Sequence, residues 1–151
     1  DRMSFEKEKQ YQLEFRPHLK LINGLGEFLK KAKEHHIKMA IGSAAIMFNI
    51  DFVLDGLHIR HYFNGIVSAD DVQHSKPNPE TFIKCADKLG IGYDDCVVFE
   101  DAPKGVEAAA NAGMKCMVLT TMHTADEFEQ YDNIIAFAED FTSPAFSYLL
   151  K

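Results

Sequence analysis

No stretch of this 151-residue sequence is apolar for long enough to cross a bilayer, and its first twelve residues, DRMSFEKEKQYQ, are too polar to read as a signal peptide. Cysteine is scarce: Cys85, Cys96 and Cys116 are odd in number, widely spaced and set in apolar stretches, with no C-x-x-C or Cys/His ligand spacing. Neither a zinc site nor a disulfide scaffold is expected, and buried thiols in a reducing cytoplasm are. Basic charge is also short. Sixteen Lys+Arg stand against twenty-three Asp+Glu, and the net charge of −7 argues against a nucleic-acid backbone or an anionic membrane as partner. Neither G-x-G-x-x-G nor G-x-x-x-x-G-K-[ST] follows any expected strand, which makes a doubly wound nucleotide-binding protein a poor reading. The seven histidines are scattered, and only His74 lies beside a motif of interest. None is assigned a catalytic role.

What is present is globular composition, 46% hydrophobic and 26% charged, at a length suited to one domain with its own core. Leu25, Phe28, Leu29 and Ala32 fall at i, i+3, i+4 and i+7 and predict a helix from about Gly24 to His36. The apolar run IKMAIG (37–42) predicts a buried strand, followed by a helix over roughly 45–55. GIVSA (65–69) predicts a second strand. Asn78-Pro79 reads as a helix start and Gly90 as its stop. CVVFED (96–101) and KCMVLT (115–120) predict two more strands around an alanine-rich helix from about Lys104 to Gly113. Thr124 and Glu127 have capping-box spacing, IIAF (134–137) reads as a short fifth strand, and Ser143-Pro144 opens a terminal helix. From Ser4 to Phe15, Phe5, Lys9 and Leu13 with interspersed charges predict a further helix, stopped by Pro17. Apolar strands alternating with amphipathic helices predict an α/β protein, a doubly wound parallel sheet whose ligands bind beyond the strand C-termini.

Three successive strand ends carry polar residues. Ser43, in AIGSAA, offers a hydroxyl beside the N–H groups that open a helix, an arrangement able to hold a phosphate or simply to cap that helix. Ala44 leaves room there. Lys76, in SKPNPETF, stands between Ser75 and Pro77, with Pro79 beyond; its ammonium can neutralise a phosphoryl oxygen or a nearby carboxylate. The third strand ends in VVFEDAPKG, where the adjacent acids Glu100 and Asp101 are hard oxygen donors of the kind that suits Mg²⁺. An acidic turn before a helix is the ordinary alternative for that pair. Asn78 is expected mainly as a cap, and Asn49 ranks below Lys76. Arg16 and His18 lie at an expected hinge.

These motifs resemble the haloacid dehalogenase-like superfamily of phosphohydrolases, in particular its β-phosphoglucomutase and sugar-phosphate phosphatase subgroup. The similarity runs from about Leu21 to Leu119. IKMAIGSAA is similar to the second motif, HYFNGIVSADDV with SKPNPETF to the third, and VVFEDAPKGVEAAANAGM, with its Gly105, to the fourth. The resemblance implies a Rossmannoid core. It also implies a phosphate-binding role for Ser43, Ala44 and Lys76, and a Mg²⁺ pair in Glu100 and Asp101. The implied chemistry is phosphoryl transfer through an aspartyl-phosphate on a small phosphorylated metabolite such as a sugar phosphate.

One departure is large. The superfamily's nucleophile and acid/base are two aspartates in a D-x-D motif ending the first strand, and no D-x-D occurs here; Asp70-Asp71 and Asp94-Asp95 are adjacent pairs elsewhere. The expectation is therefore a cap-domain tail and hinge over residues 1–18 and a core domain over 19–151 that lacks its first, central strand. Such a chain would be an N-terminally truncated, inactive fragment, its sheet gap open to a missing segment or a second chain. The alternative is a non-catalytic phosphate- or metal-binding or interaction domain of the same fold. The reading frame upstream of Asp1 separates the two.

Overall fold

The computed structural model describes residues 10–14 and 23–149. Among them are six strands: β1 Gln10–Glu14, β2 Met39–Gly42, β3 Gly65–Val67, β4 Cys96–Glu100, β5 Lys115–Leu119 and β6 Ile134–Ala138. Five α-helices accompany them: α1 Leu25–Glu34, α2 Met47–Leu57, α3 Glu80–Leu89, α4 Pro103–Asn111 and α5 Pro144–Leu149. All strand pairs are parallel, and the sheet order is β3-β2-β1-β4-β5-β6.

Side-chain alternation along the strands sorts the core into two layers. On one face Met39, Ile41, Val97, Phe99, Met117 and Leu119 pack against α1, α2 and α5. Four phenylalanines, Phe28, Phe99, Phe141 and Phe146, meet there with ring centroids 4.8–6.1 Å apart. On the other face Cys96, Val98, Cys116 and Val118 meet Phe82 and Ala86 of α3 and Val106, Ala108 and Ala109 of α4. The three cysteines are reduced and buried, as their apolar surroundings lead one to expect. No helix among the described residues is long and apolar enough to cross a membrane.

Several boundaries tighten. The helix expected over Gly24–His36 is Leu25–Glu34, its buried face made by Leu25, Phe28, Leu29 and Ala32. The second expected strand ends at Val67, because Ser68 turns to cap a 3₁₀ turn with Asp71. Thr124 and Glu127 do form a capping box, on one 3₁₀ turn, Ala125–Phe128. Gly90 closes α3 in the left-handed conformation, φ 70°, at little cost for a residue without Cβ.

The N-terminal expectation is corrected. Helix was expected over Ser4–Phe15, yet Gln10–Glu14 is a strand, and it lies in the central position expected to be empty. Tyr11, Gln12, Leu13 and Glu14 pair with Met39, Ala40, Ile41 and Gly42 of β2. Gln10, Tyr11, Gln12 and Leu13 pair with Cys96, Val97, Val98 and Phe99 of β4. The physical reason is the cost of the alternative: two buried strands facing a gap leave their N–H and C=O groups unsatisfied, at about 1–3 kcal/mol each. The sequence QYQLE also alternates polar and apolar at period two, so the segment suits a strand as well as a helix. Among the described residues the place between β2 and β4 is filled. The expected boundary at residues 18 and 19, and with it Arg16 and His18, lies outside the described residues.

Candidate functional site

With all strands parallel, β1, β2, β3 and β4 end along one edge, and the polar residues singled out in the sequence follow those ends. Ser43 comes directly after β2 and is 1% exposed. Its N–H donates to the Val67 carbonyl at 3.0 Å, which ties it to the end of β3. Its Oγ accepts from the Ala45 N–H at 2.9 Å. The helix itself starts at Met47 with Ile46 as its cap residue, so Ser43 shapes the turn before α2 and does not cap the helix. Asp70 reaches that helix from the β3 side, accepting from the Met47 N–H at 3.1 Å.

Lys76 sits in the loop between β3 and α3. Ser43, Ala44, Lys76 and Thr81 line one pocket of about 250 Å³, together with Gln73 and Ser75. The Lys76 ammonium lies 4.7 Å from the centroid of the Phe82 ring. Burial pushes its pKa below the ordinary lysine value, while Glu100 first, then Cys85 and Asp101, draw it back up. That balance joins the lysine to the acidic pair across the site.

Glu100 ends β4 and is 1% exposed; Asp101, the next residue, is 5% exposed. Glu100 Oε1 accepts from the N–H groups of Asp101 at 3.0 Å and Ala102 at 3.1 Å, just ahead of α4. Its carboxyl group occupies the space beside Gly105 of α4, where an added Cβ would lie 1.9 Å from Glu100 Cδ, 2.0 Å from Oε2 and 2.4 Å from Cγ. Only glycine leaves room for this carboxylate.

Two features of the edge went unremarked in the sequence. Thr81 is 2% exposed and lines the pocket from the first turn of α3, although its type and position looked like ordinary helix. Gly42 lets α3 close on β2, since a Cβ there would lie 3.0 Å from Thr81 Cγ2 and 3.2 Å from Cys85 Sγ. Asn78 behaves as expected of a turn residue, its Oδ1 accepting from the Glu80 N–H at 2.9 Å. Asn49 lies exposed on α2. Asp94 and Asp95 belong to a 3₁₀ turn ahead of β4. The central strand ends in Glu14, in register with Gly42, the residue before Ser43. Among the described residues no three of His, Cys, Asp and Glu gather around a common point.

A family model for haloacid dehalogenase-like hydrolases matches residues 3–119. The chain belongs to the haloacid dehalogenase-like hydrolases. Within that family it is 46% identical over 76 residues to a fructose-1-phosphate phosphatase of Escherichia coli, an alignment covering 50% of this chain and 40% of that protein. It is 32% identical over 99 residues to hexitol phosphatase B of the same organism, covering 66% and 45%. Its fold matches that of the β-phosphoglucomutase of Clostridium difficile with a TM-score of 0.72 at 23% identity, over 85% of this chain and 56% of that one. The chain spans 42%, 40% and 38% of the length of three curated relatives. The doubly wound parallel sheet expected from strand and helix alternation is thus the observed one, and the Rossmannoid core that the motif resemblance implied matches it.

Proposed function

We propose that this chain carries the phosphate- and Mg²⁺-binding part of a phosphatase or phosphomutase acting on a small sugar phosphate. The observation that carries the reading is the convergence, at one sheet edge, of a buried ammonium (Lys76), a buried hydroxyl (Ser43) and two buried carboxylates (Glu100 and Asp101). Family membership supports it, as do two relatives, one named a fructose-1-phosphate phosphatase and the other a hexitol phosphatase.

In this reading the phosphoryl group enters the pocket lined by Ser43, Ala44 and Lys76. Lys76 supplies one positive charge to its oxygens from a site with little water, where a Coulomb interaction is worth more than in bulk solvent. Ser43 donates its hydroxyl proton to a second oxygen while its Oγ still accepts from Ala45. Glu100 and Asp101 would hold Mg²⁺. Two hard oxygen ligands fit an ion that takes one or two carboxylates and keeps several waters, and the Gly105 cradle holds the first of them in place. When bound, the ion would neutralise charge on the phosphoryl oxygens.

The covalent chemistry of the family needs two aspartates in a D-x-D motif, and none occurs in these 151 residues. We infer that those aspartates come from outside this sequence. The isolated chain then binds phosphate without turning over phosphate esters. Titration with inorganic phosphate, with and without Mg²⁺, is expected to show saturable binding that Lys76→Met abolishes. Incubation with p-nitrophenyl phosphate and Mg²⁺ is expected to release no p-nitrophenol. Turnover that Glu14→Gln removes would overturn the second inference, because a carboxylate within the chain would then be doing the aspartate's work.

A further inference from the structure

The loop that presents Lys76 is gripped from two helices. From α3, Glu80 Oε1 accepts from the N–H groups of Gln73 at 3.1 Å and His74 at 2.9 Å, and Oε2 accepts from Gln73 at 3.2 Å. From α4, Asn111 Nδ2 donates to the Pro77 carbonyl at 3.1 Å. Lys76 therefore lies between two anchored points only three residues apart. Lys84, one turn along α3, closes the clamp: its Nζ lies 3.2 Å from Glu80 Oε2 and also donates to the Asp71 carbonyl.

We propose that Glu80 is a positioning residue for Lys76, holding the loop backbone from α3 so that the lysine stays in the pocket beside Ser43. The proposal rests on the phosphate-binding reading of that pocket. Glu80 touches neither pocket nor acids; it acts through the backbone. Loop residues ordinarily move more than the elements they join, and a lysine left on a mobile loop would spend its time in water. A carboxylate accepting two backbone N–H groups is a strong way to stop that, since bonds to an ionised acceptor are about twice as strong as neutral ones. The carboxyl accordingly sits below its ordinary pKa: burial pushes it up, but the Gln73 and His74 N–H groups and Lys84 outweigh that push.

A merely structural role for Glu80 is distinguishable, because Oε1 alone receives both the Gln73 and His74 bonds. Glu80→Gln can keep a carbonyl oxygen at that place and loses the charge facing Lys84 with the longer Gln73 bond to Oε2, whereas Glu80→Ala loses the whole clamp. The test uses the full 151-residue chain and inorganic phosphate as probe, with amide hydrogen exchange at Gln73 and His74 followed in parallel. Glu80→Ala is expected to bind phosphate about tenfold more weakly and to exchange both amides faster, with the urea midpoint little changed. Glu80→Gln is expected to bind within about twofold of the parent. Asn111→Ala, which releases the other anchor, is expected to weaken phosphate binding by a similar factor. Parental phosphate affinity in Glu80→Ala, with Lys76→Met inactive in binding, would overturn the positioning role alone. Parental affinity in Lys76→Met would overturn the pocket reading beneath it. Equal loss in Glu80→Gln and Glu80→Ala would assign Glu80 to the charge balance of α3 and also overturn the proposal.

Discussion

Gly105→Ala sets two physical rules against each other, and the structure says which should win. In a generic helix interior the change would stabilise by about 1 kcal/mol, because glycine is a poor helix former. Here the new Cβ would fall 1.9 Å from Glu100 Cδ and 2.4 Å from Cγ, well inside the roughly 3.5–4.0 Å at which carbon atoms meet comfortably. Glu100 is 1% exposed, so its side chain has no solvent to retreat into. To make room it must give up its bonds from the Asp101 and Ala102 N–H groups. Hydrogen bonds to a charged group contribute about 1.5–3 kcal/mol each, so two of them outweigh the helix gain and leave a net loss of about 2–5 kcal/mol. In urea denaturation that is a fall in midpoint of roughly 1–2.5 M at a slope near 2 kcal/mol/M. The double variant Glu100→Ala with Gly105→Ala supplies the decisive comparison. With the carboxylate gone, adding the methyl should be neutral or mildly stabilising, giving a strong coupling between the two positions. A Gly105→Ala chain as stable as the parent, or a penalty undiminished in the Glu100→Ala background, would refute the cradle.

Three other outcomes are expected. Phosphate affinity should fall with rising pH below the ordinary lysine value of 10.5, because burial first, offset in part by Glu100, Cys85 and Asp101, lowers the pKa of Lys76; flat pH dependence across that range in a phosphate titration would count against it. The Cys85 thiol is pushed up to about 12 by burial from an ordinary 9.0, so its stabilising thiol form is complete below pH 9 and is lost as pH rises through the folded value. With Cys116 also raised well above 9.0 by burial, both thiols should resist iodoacetamide at pH 8.5 and react after denaturation, as mass spectrometry would show. Gly42→Ala should destabilise by about 1–3 kcal/mol, since its Cβ would press on Thr81 and Cys85 and push α3 off β2; a thermal midpoint at or above the parent's would contradict that packing.

Strand and helix existence was legible where periodicity was strong. The i, i+3, i+4, i+7 apolar face of α1 and the all-apolar runs of β2, β4 and β5 each admit one reading, because burial on one or both faces demands those patterns. Element ends were less legible. Ser68 looked like part of a strand running to Ala69, and its hydroxyl instead caps the following turn, a local side-chain bond that competes with the ladder. The candidate site residues Ser43, Glu100 and Asp101 could be picked out because they stand where apolar runs end, and Lys76 because Pro77 and Pro79 stiffen its loop. Thr81 could not, since threonine in the first turn of a helix carries no signal until the helix is laid against the pocket.

The sequence by itself determined the alternation of strands and helices, the parallel sheet it requires and the polar residues at the sheet's edge. These follow from local periodicity and from the rule that parallel strands need crossovers. The tertiary structure alone decided the fate of QYQLE. As an isolated segment it suits helix or strand, and the unpaired backbones of β2 and β4 made it a strand. The tertiary structure likewise turned Gly105 from a weak point in a helix into the space that holds Glu100, because that requirement arises only when β4 and α4 are packed together.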